Sequence, residues 1–189
     1  MEPAPADDDA SLVARALSGD RVAEAQIYRR HARSLANVAA RLTGSRADAE
    51  DIVQETFVIA LEHLRELRDP ASLRAWLTRV AVTCSQRRLR RRRVLRWLGL
   101  DRTEADLPLD AMAAHDVSPE VRAELSRVAA VLDRCDPDAR VAWTLHRVEA
   151  ETLEATAAAC GCSLATVKRR VAAVEAILAR DLSTRGDAR

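Results

Sequence analysis

The sequence predicts an all-α protein: two small helical domains joined by a flexible acidic linker, the second domain containing a helix-turn-helix. Three observations carry this. Apolar residues make up 48% of the 189 residues, yet only five are aromatic and glycine is sparse, while Ala and Leu abound, a balance that favours helices. Polar N-cap residues recur just ahead of apolar runs of helical spacing. Periodicity fails over one internal stretch, residues 99–117, where Asp101, Glu104, Asp106, Asp110 and Asp116 face only Arg102 and Pro108 breaks any helix.

Taken in order, residues 1–9 read as a disordered acidic tail, rich in Pro and Ala and without period. A first helix is expected from Ala10 to Leu17, stopping at Ser18-Gly19. Asp20 caps a second, with Val22, Ala25, Ile27, Tyr28, Leu35, Val38 and Leu42 before Gly44. Ser45 and Asp48 resemble a capping box and open a third, which runs to about Leu67 with Ile52, Val53, Phe57, Ala60, Leu61 and Leu64 on one face. Asp69-Pro70 starts a fourth, ending near Leu98. The first domain is therefore 10–98 and the second 118–185. Ser118-Pro119-Glu120 and Asp136-Pro137 open two helices of the second domain, to about Arg134 and Glu149.

The helix-turn-helix closes the chain. Thr152 to Cys160 is a short helix that ends at Gly161, a residue at ease in the left-handed C-cap conformation. Ser163 stands where an N-cap belongs, and Leu164 to Leu182 follows with Val167, Val171, Val174, Ile177 and Leu178 turned inward. Lys168, Arg169 and Arg170 fall near the helix start, where a recognition helix makes its groove and phosphate contacts. The competing reading is an αα-hairpin with a solvated basic face.

Charge strengthens the nucleic-acid reading. A net charge of +1 hides segregation: seven arginines and no acid lie between Gln86 and Trp97. Such blocks point to a polyanion partner. Other classes are disfavoured. The histidines His31, His63, His115 and His146 are scattered, with no nucleophile-base pair at a usable spacing, so no catalytic residue and no enzymatic function are expected. Cys160-Gly-Cys162 with His146 lacks the two-residue gap usual for zinc, so neither metal nor cofactor is expected. With no signal-peptide pattern and no membrane-length apolar run, the chain is expected to be cytoplasmic, with its four cysteines reduced and no membrane contact of its own.

The run Asp48-Ala-Glu-Asp-Ile-Val-Gln-Glu-Thr-Phe57 resembles the polymerase-binding helix of the extracytoplasmic-function (ECF) sigma factors. The resemblance continues through Ser72-Leu-Arg-Ala-Trp76-Leu-Thr-Arg-Val-Ala81 and the arginines after it, then Leu164-Ala-Thr-Val-Lys168, covering about residues 10–97 and 118–184 in the family's order. It implies a factor that binds core RNA polymerase, recognises the minus-ten and minus-35 promoter elements and directs transcription initiation. Asp51, Gln54 and Glu55 match polymerase-contacting positions. The loop from about Glu66 to Ser72 matches the one that captures a flipped base. Arg74, Arg87, Arg88 and Arg91 lie on the helix that follows the minus-ten element, and Ser163, Thr166, Lys168, Arg169 and Arg170 fall in the minus-35 reader. An anti-sigma protein lodged between the domains is a further implied partner. The family often carries arginines where this chain has Ala172, Ala173 and Glu175. The alternative function is a stand-alone helix-turn-helix DNA-binding regulator that never touches polymerase, which would leave Asp51, Gln54 and Glu55 without a role.

Overall fold

The computed structural model describes residues 8–100 and 118–186. Among them every regular element is helical: α1 Asp9–Leu17, α2 Arg21–Thr43, α3 Arg46–Glu62, α4 Leu73–Trp97, α5 Pro119–Arg134, α6 Pro137–Trp143, α7 Leu153–Cys160 and α8 Leu164–Gly186. Short 3₁₀ turns at Leu64–Glu66 and Pro70–Ser72 separate α3 from α4. The tail's first seven residues and linker residues 101–117 lie outside the described residues.

Helix starts follow the polar caps. Asp8, one residue earlier than expected, accepts from Ser11 N–H, Asp20 from Val22 and Ala23 N–H, Ser45 from Asp48 N–H, and Thr152 from Ala155 N–H. Each bond satisfies an N–H that the first helical turn leaves orphaned. Two ends differ from expectation. The third helix stops at Glu62 rather than Leu67, and the fourth begins at Leu73 because the Asp69 cap closes only the Pro70–Ser72 turn. A proline at the first helical position tolerates either kind of turn, since the N–H it lacks would be unbonded in both; here Ser72 N–H closes the tighter turn on Asp69 O at 2.9 Å.

The helix expected to reach Glu149 becomes a π-helical turn over Thr144–Val148. Glu149 N–H bonds to Thr144 O at 3.1 Å and Glu151 N–H to Leu145 O at 3.0 Å, and the chain then reverses through Ala150 at φ 56°. A non-glycine residue in the left-handed region carries some backbone strain.

α1 to α4 surround one core built from Leu12, Ile27, Leu35, Ile52, Phe57, Leu73 and Leu77. The rings of Tyr28 and Phe57 add a tilted pair 4.8 Å apart. Asp9 fastens α1 to α2 through Arg30 Nη1 at 2.8 Å and His31 Nε2 at 3.2 Å. Burial works to raise the Asp9 pKa, but those two donors outweigh it and hold it below the ordinary value. The second core joins α5, α6 and α8 through Val131, Leu132, Cys135, Ala139 and Val174, and α7 closes on Ala142, Val167 and Val171.

The two groups of helices are packed against each other. Leu42, Val82 and Leu89 meet Val141 and Leu145 in an apolar seam, all five buried. Burying this much hydrocarbon is the favourable term. Arg140 crosses beside the seam from α6. Its Nε donates to Leu42 O at 2.9 Å, and its Nη1 pairs with Asp133. The guanidinium thereby meets a carbonyl that the last turn of α2 leaves without a partner, at the negative end of that helix. Gly44, which ends α2 at φ 72°, makes room for it: a Cβ there would stand 2.9 Å from Arg140 Nη2.

Candidate functional site

Asp51 and Gln54 are exposed on α3, and Glu55 is half-buried beside them. The spacing that puts Ile52, Val53 and Phe57 in the core necessarily turns these three outward. Val58, one turn on, is also exposed. It lies on the outer face in the sequence pattern, but an isolated apolar residue there carries no signal of its own.

The carboxylates do not stand alone. Arg87 Nη1 donates to Glu55 at 2.6 Å, and Arg88 Nη2 to Asp51 at 2.6 Å. Arg92 reaches Asp48 at 3.1 Å. Residues that the sequence placed in two different sites, Arg87 and Arg88 with DNA and Asp51 and Glu55 with polymerase, thus form one strip of alternating charge. A helix of 25 residues carries arginines on all sides, so sequence spacing alone could not say which of them α3 would collect.

The rest of the arginine cluster divides by direction. Arg90 and Arg93 turn to the second domain, where Asp138 and Asp136 accept at 2.6 and 3.1 Å. Arg96 donates to Asp133 O at 3.0 Å. Arg91 is exposed, with no ion pair among the described residues.

At the other end of α4, Arg74 and Arg79 border a cleft of about 790 Å³ lined also by Ser34, Asn37, Trp76 and Thr78. Trp76 both packs on the first core and walls the cleft, so the core reading and the stacking reading each describe one side of its ring. Sequence reasoning gave Arg79 no role. Its proximity to the helix-turn-helix, with Arg79 Nη2 4.0 Å from where a Gly161 Cβ would sit, is a tertiary fact.

In the helix-turn-helix, Gly161 takes φ 61° at the end of α7. Ser163 is the cap of α8: its Oγ accepts from Thr166 N–H at 3.2 Å and lies 2.9 Å from Thr166 Oγ1. Val167, Val171 and Val174 are buried. Lys168 and Arg169 are exposed and have no ion pair among the described residues. Arg170 turns inward instead, donating to Asp138 Oδ2 at 2.7 Å and touching Cys162 Sγ at 3.5 Å. Ala165, Ala172 and Ala173 flank Arg169 on the outer face.

The neighbouring thiol of Cys160 is pushed up to about 12, chiefly by burial, so it stays a protonated packing group. Among the described residues no group of three or more His, Cys, Asp or Glu side chains is arranged to hold a metal, and no helix is long and apolar enough to cross a membrane.

Comparison with known proteins agrees with this layout. Residues 27–94, which include α3 and most of α4, match the Sigma-70 region 2 family. The chain is 33% identical to the RNA polymerase sigma factor CnrH of Cupriavidus metallidurans, over 92% of this chain and 94% of that one. It is 31% identical to the ECF RNA polymerase sigma factor SigE of Mycolicibacterium smegmatis, over 88% of this chain and 65% of the relative. Among solved structures, CnrH in complex with the cytosolic domain of CnrY superposes with a TM-score of 0.60 at 28% identity, covering 94% of this chain and 99% of that one. RpoE in complex with the anti-sigma factor NepR from Bartonella quintana gives 0.60 at 27% identity, covering 84% and 95%. With its exposed acidic helix, arginine-rich α4 and helix-turn-helix in this order, the chain belongs to the ECF RNA polymerase sigma factor family.

Proposed function

We propose that this chain binds core RNA polymerase through the α3 face of Asp51, Gln54, Glu55 and Val58, and directs initiation at promoters read by α4 and α8. In this reading the division of labour follows the division of the helices, α1–α4 for polymerase and the minus-ten element and α5–α8 for the minus-35 element. It acts in the cytoplasm, where its partners are, and catalyses no reaction of its own. As with RpoE, which is solved in complex with the anti-sigma factor NepR, an anti-sigma protein is a natural further partner. The observation that carries the reading is the coexistence, on one small chain, of an outward α3 face with a helix-turn-helix whose Lys168 and Arg169 are uncommitted. Reconstitution with core polymerase, followed by selection of transcribed promoters, tests it. Absence of both binding and transcription would end it.

Within α8 the charges separate into roles. Arg170 is engaged by Asp138, so base reading falls to Arg169, while Lys168 sits about 100° round the helix, toward the phosphates. Arg169→Ala should cost about 1–3 kcal/mol and relax preference at one base pair, whereas Lys168→Ala should weaken all sequences alike and lower the salt slope by about one. Site selection with each variant, at several salt concentrations, is the measurement. Identical preferences in both would mean that α8 only positions the domain.

A further inference from the structure

Arg147 belongs to the π turn Thr144–Val148, ahead of the helix-turn-helix, and its side chain crosses to α8. Nε donates to Glu175 Oε1 at 2.8 Å and Nη2 donates to the same oxygen, while Nη1 has no protein partner among the described residues. The pair is open to solvent, with side-chain exposures of 51% for Arg147 and 42% for Glu175.

What matters is where Glu175 stands on α8. Lys168 and Glu175 are seven residues apart, so they lie within about 20° of each other and roughly 10 Å apart along the helix. Both flank the buried line of Val167, Val171 and Val174, on the side where Lys168 is assigned to the phosphates. Beyond Arg169 the outward face is Ala172, Ala173 and Ala176, which bring no charge. A bare carboxylate on this flank would repel the strand that Lys168 attracts. Arg147 covers that carboxylate with one edge of its guanidinium and keeps the Nη1 edge free.

We propose that Arg147 is a DNA-phosphate contact of this chain, presented from outside the helix-turn-helix, with Glu175 as the residue that positions it. This rests on the reading of α8 given above and adds a contact to it.

A guanidinium suits the task. Its donors lie in a planar fork, so one edge can rest on a carboxylate while another meets a phosphate. Holding Nε and Nη2 on Glu175 also removes rotamer freedom that a long, exposed side chain would otherwise lose on meeting DNA. As a brace between the turn and α8 the pair would do little, because single exposed ion pairs contribute little to stability. A phosphate contact carries no sequence information, so Arg147 should add affinity and leave base preference to Arg169.

The test uses the full chain assembled with core polymerase on a selected promoter. Binding is measured from about 0.1 M to about 1 M salt, a range over which one phosphate contact contributes about 0.9 to the slope of log affinity against log salt. Arg147→Ala should therefore lower the slope by about one and bind about eightfold more weakly at the low-salt end, with the gap closing toward the high-salt end. Promoter selection should return the wild-type sequence. Glu175→Ala should keep the wild-type slope, because the cation remains. Arg147→Ala combined with Glu175→Arg should restore the slope, since the flank regains a cation although the pair is gone. Arg147→Gln, which keeps a donor for Glu175 without the charge, should lose slope as the alanine variant does and stands in should that variant misfold.

A wild-type salt slope in Arg147→Ala overturns the proposal. So does an equal loss of slope in Glu175→Ala, which would make the pair a brace for α8 and nothing more, or a double variant no better than Arg147→Ala. A wild-type holoenzyme that protects no promoter sinks the assignment of α8, and the contact with it. Unchanged slopes on a promoter that is protected sink the contact alone.

Discussion

Arg140→Ala is expected to lower stability by about 3 kcal/mol, the low end for removing one partner of a buried ion pair. The side chain is 6% exposed, whereas Asp133, left behind, is 35% exposed and regains water, which moderates the loss. Burial lowers the Arg140 pKa, opposed by Asp133, but the guanidinium stays charged at any ordinary pH. Leu42 O loses its donor, and a cavity opens beside Gly44. For a chain of this size the loss corresponds to a fall in Tm of roughly 6–12 °C. Arg140→Lys should recover only part, because an ammonium cannot present two separated N–H groups in one plane. Thermal and denaturant unfolding of the three proteins would measure it. Equal midpoints would mean that the crossing arginine is dispensable.

The second large effect lies on α3. Replacing Asp51, Gln54 and Glu55 together with alanine should weaken binding to core polymerase at least about tenfold, since hydrogen bonds to charged groups are worth about 1.5–3 kcal/mol each. None of the three belongs to the core, so circular dichroism should be unchanged. Arg87 and Arg88 would lose Glu55 and Asp51, pairs exposed enough to cost little stability. This coupling also changes what a reversal of Arg87, Arg88 and Arg91 to glutamate would report. Two of those three charges flank the face proposed for polymerase, and only Arg91 stands clear of it. A loss of promoter opening in that variant would therefore need a polymerase-binding measurement beside it. Undiminished polymerase binding by the alanine triple would remove the contact from this face.

Most of the helical frame was legible because its signals are local. Asp20, Ser45, Thr152 and Ser163 each satisfy N–H groups within three residues, and the apolar period names the buried face of α2, α3 and α8. The direction of an arginine is not local. Arg87, Arg90 and Arg170 look alike in sequence, yet one joins α3 and the other two converge on Asp138. The seam was illegible for the same reason. Val82 and Leu89 fit the pattern of an ordinary helix, and nothing near them announces Val141 and Leu145, some fifty residues on and across the linker. The π turn after Trp143 was hidden too, since the sequence there keeps a helical period while the backbone widens by one residue.

Gly44 and Arg140 are tied together in a one-way manner that can be looked for in related sequences. The left-handed end of α2 favours glycine whatever sits across from it, so glycine can persist without the arginine. The converse is disfavoured, because a Cβ at position 44 would stand 2.9 Å from Arg140 Nη2 and the guanidinium would have to shift from its place. Among homologues, an arginine at the place of Arg140 should therefore imply a glycine at the place of Gly44, while the glycine alone implies nothing about the arginine. Lineages that lost the glycine should have lost the arginine first, and with it the link between the end of α2 and the domain that carries α8.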